Sequence, residues 1–289
     1  MKLITIVTAT YNRGNLLSNV YASLLKQKKQ NFEWLIVDDG SNDNTKEIVK
    51  KMQGENKIDI IYVQKENGGK HTALNIAFKE IKTELLITLD SDDTLTEDAT
   101  LEIEKYHLKY KDRTDICGFC FLKGYSLDKS VTKYPDNEIV ANYNEYIINT
   151  GIKGDKCEVF YSKILKKYSF EEYKGERFLA EGYLWSNIAD SYDTVFINKV
   201  IYLCEYLEGG LTKSGRKMRL DNPKGGIRHA KEYLKSKYKF KIRFKNALLY
   251  VVYSNKAKTK IEFNKFKILL LAYLPGLMLY HYWDKKYCR

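Results

Sequence analysis

The chain has 289 residues, 44% hydrophobic, with only 3 Pro and a formal net charge of +12. That length and composition bury a sizeable core, as one large domain or a domain with an appendage, and exclude a disordered chain. Its 5 Cys (117, 120, 157, 204, 288) form no disulfide framework, and Met1-Lys2 leads straight into strand-like Leu3–Val7, so a reducing cytoplasm is expected.

The first 110 residues alternate short apolar runs with helical patterns. Strands are expected at Leu3–Ala9, Glu33–Asp38, Ile58–Gln64 and Glu84–Leu89, and helices near 15–27, 43–52, 70–80 and 97–110. This rhythm predicts an α/β fold with a mostly parallel central sheet flanked by helices. Residues 114–212 are less regular. Asp115–Lys123 and Cys157–Tyr161 read as strands, Phe178–Ala189 as a helix, and Val195–Leu207 as paired strands broken near Asn198-Lys199.

Three polar segments follow strand ends, where open α/β sheets bind ligands. Thr8–Arg13 offers Tyr11, a ring suited to stacking on a base, or else is a strand-to-helix turn. Asp38-Asp39-Gly40-Ser41 offers an acceptor for a base N–H, although the following Asn42–Thr45 has helix-cap chemistry, so at least one acid there is structural. Asp90-Ser91-Asp92-Asp93 places three carboxylates in four positions. Such a cluster suits Mg²⁺ or Mn²⁺ completed by phosphate oxygens, or else is an acidic turn capped by Thr94 or Thr96. A fourth segment, Glu66–Asn75, is a glycine-containing loop entering a helix. It is no P-loop, because the required spacing is missing.

Taken in order, Thr-x-Tyr-Asn-Arg, Val-Asp-Asp-Gly-Ser, Asn-Gly-Gly with Ala-Leu-Asn, and Leu-Asp-Ser-Asp-Asp make the chain resemble the family 2 glycosyltransferases, which have a nucleotide-sugar-binding GT-A fold. The resemblance is firm over residues 1–110, looser to about 212, and then fades. It implies that Thr8 and Tyr11 line a nucleoside pocket, that Asp39 bonds the base, usually uracil, and that Lys70 lies near the donor phosphates or sugar. Asp90 would contact ribose or sugar, with Ser91 beside it. Asp92 would meet the diphosphate and a divalent cation (Mn²⁺ or Mg²⁺), Asp93 being the competing metal ligand.

An inverting transferase also needs a base to take the acceptor hydroxyl's proton. The family's acidic pair aligns with Glu181-Gly182, where Gly182 replaces the second acid. The resemblance therefore makes Glu181 the catalytic base and Glu176 the fallback. A helix N-terminal charge is the plain alternative for Glu181. Trp185 is read as an acceptor-sugar platform or a core residue. Arg216, Lys217 and Arg219, within Lys213–Arg219, either close over the diphosphate or form a solvated linker. Cys117 and Cys120 are read as core thiols, since no second pair has zinc-ligand spacing.

Charge divides the chain. Residues 1–212 hold 28 Lys and Arg against 33 Asp and Glu; residues 213–289 hold 21 against 4. The expected organisation is a catalytic domain over 1–212, with a nucleotide-sugar half at 1–110 and an acceptor half at 111–212, then a basic, helical extension over 213–289. Lys237–Lys245 alternates cation and apolar residue, and its flanks also permit a helix. Ile268–Tyr280 is too short to span a bilayer and is interrupted by Pro275-Gly276. With flanking cations and aromatics it predicts peripheral or monotopic attachment to an anionic membrane surface, at the inner face of the plasma membrane. The alternatives are a helical pair packed on the catalytic domain or a homodimer through the extension.

The expected activity is inverting, metal-dependent transfer from a nucleotide sugar, a UDP-sugar by resemblance, to a lipid-linked or polymeric glycan in capsule or exopolysaccharide synthesis. Processive synthesis is not expected: the Gln-x-x-Arg-Trp motif of similar enzymes is absent, Trp283 being preceded by Tyr282. Nucleic acid is not an expected partner, for want of a recognition motif. A nucleotidyltransferase and a catalytically degenerate, membrane-bound scaffold are the alternatives.

Overall fold

The computed structural model describes residues 2–204 and 215–287. Strand and helix alternate first through β1 (Ile4–Thr10), α1 (Gly14–Leu25), β2 (Phe32–Asp38), α2 (Thr45–Gly54), β3 (Ile60–Gln64), α3 (Lys70–Glu80), β4 (Leu85–Thr88), the short β5 (Thr94–Leu95) and α4 (Ala99–Tyr110). β3, β2, β1 and β4 lie side by side and parallel. β1 and β2 are buried on both faces, which is why they read as continuous apolar runs. α1 closes over them with Leu17, Val20, Tyr21 and Leu24, one face of a 3.6-residue period. Because the strands are parallel, the segments after β1, β2 and β4 leave the sheet at the same edge.

The second half contains β6 (Ile116–Ser126), β7 (Lys129–Ser130), β8 (Glu138–Ala141), a π-helical turn at Asn144–Asn149, β9 (Lys156–Tyr161), α5 (Ser162–Leu165), α6 (Gly182–Ile188) and β10 (Asp193–Leu203). It extends the sheet from β4 through β9, β6 and β10 to β5. β4–β9, β9–β6 and β10–β5 are antiparallel, and β6–β10 is parallel. The α/β sheet is therefore parallel through its first half, from β3 to β4, and mixed beyond.

Two local expectations change. The helix expected from Phe178 starts only at Gly182. Asn222 Oδ1 accepts from the backbone N–H groups of Arg177 (2.6 Å) and Phe178 (3.1 Å), holding the preceding chain out of the helix. The paired strands expected over Val195–Leu207 are one strand, β10, whose register against β6 shifts between Phe196 and Val200. Residues 205–207 lie outside the described residues.

The basic extension is helical: α7 (Gly215–Asp221), α8 (Pro223–Glu232), α9 (Phe240–Lys256) and α10 (Ile268–Tyr287). Most of the Lys237–Lys245 alternation lies in α9, and α10 runs through Pro275-Gly276. Gly276 permits a close helix approach, since a Cβ there would lie 2.7 Å from Val251 Cβ. α8 packs on α6: the Tyr233 hydroxyl donates to Gly182 O at 3.1 Å, while Ser186 Oγ lies 3.1 Å from it. Among the described residues no helix is long and apolar enough to cross a membrane.

Candidate active site

The parallel strand ends open on a cavity of about 750 Å³. Tyr11, Arg13 and Asp39 enter from the ends of β1 and β2, Lys70 and His71 from the start of α3, and Asp90–Asp93 from beyond β4. The opposite wall is Arg177–Glu181, backed by Met218 of α7 and Asn222. A second groove of about 920 Å³ is lined by β5, Asp98 and Lys199, the last two pairing at 2.9 Å, and it gathers none of these groups.

The structure resolves how the acidic quartet is tolerated. Asp90 Oδ1 meets Lys70 Nζ at 2.6 Å, Asp90 Oδ2 lies 3.6 Å from Lys123 Nζ, and Asp92 Oδ2 meets Arg13 Nη1 at 2.9 Å. Asp93 is buried and accepts from the Tyr202 hydroxyl at 2.7 Å, while that oxygen receives the Asp90 backbone N–H at 2.9 Å. Lys123 Nζ also sits 3.8 Å from the centre of the Tyr202 ring. The quartet does not cap a helix; Thr96 Oγ1 instead donates to Asp98 Oδ1 at 2.7 Å, just ahead of α4.

These partners separate the acids. Burial would raise the Asp90 carboxyl, but Lys70 and Lys123 outweigh it and hold Asp90 well below the usual range. Asp93 is pushed up to about 6, chiefly by burial, with repulsion from Asp90 and Asp92 and opposition from Tyr202 and Lys123. For Lys70, burial acts to lower the ammonium, and the charges of Asp90 and Glu181 override it and raise it. Lys70 reaches Glu181 Oε1 at 2.8 Å, so one ammonium spans the two sides of the cavity.

The glycine loop has a resident anion. Asp39 accepts from Gly68 N (2.9 Å), Gly69 N (2.7 Å) and Lys65 Nζ (2.7 Å). The amides that a helix N-terminus offers to a phosphate are thus already engaged. Asp38 is the structural member of its pair: it is fully buried, accepting from Tyr62 Oη at 2.5 Å and Ser41 N at 2.8 Å.

The structure brings Tyr11, Asp39, Lys70, Asp90, Ser91, Asp92, Asp93 and Glu181 to the one cavity. It does not bring Thr8, which is fully buried and accepts from Trp34 Nε1 at 2.9 Å; Ala9 and Thr10 line the cavity in its place. Trp185 is a core residue, its ring centre 4.6 Å from that of Phe160. Arg216 turns to α10, donating to Tyr287 Oη at 3.0 Å; Lys217 faces Asp221 at 3.8 Å; Arg219 stacks on Phe178 at 5.3 Å. None of these three lines the cavity, and the adjoining Lys213 and Ser214 lie outside the described residues. Glu176 is occupied elsewhere, accepting from the backbone N–H groups of Lys224 and Gly225 at 2.8 Å as a remote cap on α8. Cys117 and Cys120 are buried thiols beside Thr194 and Tyr134.

Beyond Lys70, sequence reasoning missed the partners of the acids: Arg13, Lys123 and Tyr202. Arg13 stood within the first motif without a role. Lys123 and Tyr202 are over 100 residues apart from Arg13 in sequence and meet the acids only through β6 and β10. The available signal for Lys123 was a lone cation closing the apolar run Ile116–Leu122, the counterpart of an acid at a strand end.

Among the described residues no three His, Cys, Asp or Glu side chains gather as a protein-only metal site. The donor set nevertheless fits a hard cation that draws its remaining ligands from a diphosphate. Asp92 and Asp93 face the cavity, and Asp93 carries a burial-raised carboxyl that a cation would relieve.

The model of the family described as Glycosyl transferase family 2 matches residues 5–173. Glycosyltransferase GlyG of Streptococcus pneumoniae is 37% identical over 97 residues, 33% of this chain and 32% of the relative. Chondroitin synthase of Pasteurella multocida is 35% identical over 143 residues, 49% of this chain and 14% of the relative. The chain thus spans a third or less of these relatives. Among solved structures, S. aureus TarS 1–349 in complex with UDP-GlcNAc superposes with a TM-score of 0.63 at 21% identity, covering 89% of this chain and 72% of that one. A mannosyltransferase from Pyrobaculum calidifontis in complex with GDP-Man and Mn²⁺ gives 0.59 at 15% identity, covering 99% and 83%. Both show the likeness of fold.

Proposed function

The chain belongs to glycosyltransferase family 2, and from that premise we propose that it transfers a sugar, with inversion, from a nucleotide sugar to a glycan hydroxyl. The donor in this reading is a UDP-sugar. The acceptor is a lipid-linked or polymeric glycan of a cell-surface polysaccharide, such as a capsule or exopolysaccharide, reached from the cytoplasmic side of an anionic membrane. The observation that carries the reading is the convergence of Tyr11, Asp39, Lys70, Asp90–Asp93 and Glu181 on one cavity. The bound UDP-GlcNAc of the TarS structure and the GDP-Man of the mannosyltransferase support a nucleotide-sugar donor.

Tyr11, 43% exposed at the cavity, offers a ring face to the base. Asp39 offers the base a carboxylate by sharing or exchanging one of its present donors. Lys70 places a permanent positive charge where the diphosphate leaves. Glu181 takes the acceptor hydroxyl proton as that oxygen forms its bond to the anomeric carbon and the bond to the diphosphate breaks. A divalent cation, Mn²⁺ or Mg²⁺, held by Asp92 and Asp93 supplies charge neutralisation for the diphosphate when bound.

The test is a panel of nucleotide sugars with Mn²⁺, followed by thermal unfolding and by release of nucleoside diphosphate. At a donor concentration near 100 times Kd the midpoint should rise by roughly 5 °C for at least one donor. Folded protein that responds to no donor would sink the reading.

A further inference from the structure

α10 has two faces. Ile268, Leu269, Ala272, Gly276 and Trp283 are buried against the rest of the extension. The other face presents Leu270, Leu271, Leu274, Met278 and Tyr282 at 67%, 63%, 69%, 74% and 56% exposure. Their spacing keeps all five on one side of a 3.6-residue helix over more than three turns. A continuous apolar stripe of this kind marks an interaction surface. Pro275 also lies on this exposed side, where the carbonyl it leaves without an intrahelical partner can be solvated.

The charge around the stripe selects its partner. Exposed Lys265 and Lys267 precede the helix, and exposed Lys285 and Lys286 close it. All four acids of residues 213–289 are already paired within the extension. Asp221 meets Lys217 at 3.8 Å, Glu232 meets Lys235 at 2.8 Å, Glu262 meets Lys231 at 2.9 Å, and Asp284 meets Lys256 at 2.8 Å. Other cations of the extension pair with Glu171 and Asp190, but among the described residues no ion pair engages Lys265, Lys267, Lys285 or Lys286, which flank the apolar face. A second copy of the chain would bring the same positive field against itself. An anionic bilayer satisfies both the field and the stripe.

We propose that the outer face of α10, centred on Leu274 and Met278, is a monotopic docking surface for an anionic lipid bilayer. The proposal rests on the reading that the acceptor is presented at a membrane. It also ties the docked helix to the donor cavity. Arg216 donates to Tyr287 Oη at 3.0 Å and stacks over Trp283 at 5.3 Å, both on α10, while Met218, two residues along the same α7, lines the cavity. α7 thus bridges the inner side of α10 to the cavity wall.

The test is cosedimentation of the full chain with vesicles of phosphatidylcholine, with and without phosphatidylglycerol. The wild type should bind the anionic vesicles, weaken with salt and leave the neutral ones largely unbound. Leu274→Glu/Met278→Glu should lower the bound fraction at least about tenfold. Lys265→Glu/Lys267→Glu should weaken only the anionic binding. Both substituted apolar side chains are exposed, and Leu274→Ser/Met278→Ser provides a milder pair should the acidic one misfold. The donor-induced rise in unfolding temperature should survive in every variant, which separates failure of docking from failure of the enzymatic reading. Absence of wild-type binding, equal binding by the stripe variants, or a wild-type dimer that these variants convert to monomers without any vesicle binding would each overturn the proposal.

Discussion

Lys70 Nζ stands 2.8 Å from Glu181 Oε1 and 2.6 Å from Asp90 Oδ1, so a single ammonium joins acids from the two sides of the cavity. Its pKa is raised: burial alone would lower it, but the two carboxylates prevail. A raised lysine is lost only as pH climbs through its folded value, so Lys70 stays charged across any practical assay range. Lys70→Met should lower kcat/KM about 100-fold, in line with removal of one preorganised charge from a leaving group. The alkaline limb of the wild-type pH profile should not belong to Lys70. Steady-state kinetics across pH check both statements, and near-normal turnover by the Met variant would remove Lys70 from the donor site.

The two candidate bases should respond differently. Glu181→Gln should bind donor with little change in its thermal shift and lose transfer, because the amide cannot take a proton. Glu176→Gln should transfer normally and lose stability instead. Its carboxylate caps α8 through Lys224 N and Gly225 N, a contact worth about 1 kcal/mol. Donor binding, turnover and urea unfolding on both variants separate the roles. A Glu176→Gln enzyme that is stable but inactive would reverse the assignment.

Asp93 gives the site a pH signature. Burial raises its carboxyl from 3.8 to about 6. A raised acid stabilises the fold fully below its unfolded value and loses that stabilisation as pH rises through the folded one. Above pH about 6 the ionised group therefore costs about 3 kcal/mol relative to the protonated state. Asp93→Asn should raise stability at pH about 7.5 by about 2 kcal/mol and leave it nearly unchanged at pH about 3.5. In the wild type, Mn²⁺ with a nucleoside diphosphate should stabilise more at the higher pH, and Asp93→Asn should blunt that difference. Denaturant melts at the two pH values measure it, and a variant less stable at both would refute the buried-charge account.

The legibility of the chain follows the range of its interactions. β1, β2 and β4 announced themselves as local apolar runs, and the acids after them were visible because strand ends of a parallel sheet share an edge. Thr8 was misplaced because spacing alone cannot tell which side of β1 faces Trp34. Trp185 was ambiguous because an aromatic residue near an acid reads alike in a core or at a sugar site; Phe160 and Phe170 decide it. Lys123 and Tyr202 were illegible because their meaning depends on β6 and β10 joining the sheet beyond β4 by way of β9, a long-range pairing that no local period encodes. The helical state of Lys237–Lys245 was open for the same reason, since packing between α9 and α10 chooses between two permitted periods.

Gly69 is where the fold leaves no alternative residue. Its φ of +94° with ψ of 161° belongs to a region that side chains avoid. A Cβ there would stand 1.9 Å from Arg177 O, a backbone atom that cannot swing aside. The closeness joins two sides of the cavity: Gly69 N donates to Asp39 Oδ2 at 2.7 Å, the next residue is Lys70, and Arg177 heads the wall that carries Glu181. Relief of the clash requires the wall and the start of α3 to part. Gly69→Ala should therefore cost more than about 3 kcal/mol and, where the protein still folds at low temperature, weaken donor binding and transfer together. Gly54→Ala, at a helical position with nothing within 4 Å of the new Cβ, is the control and should be neutral or stabilising. Calorimetry and donor titration on the two variants decide it: a Gly69→Ala protein with wild-type melting would mean that the α3 entrance and the Arg177–Glu181 wall do not meet as described.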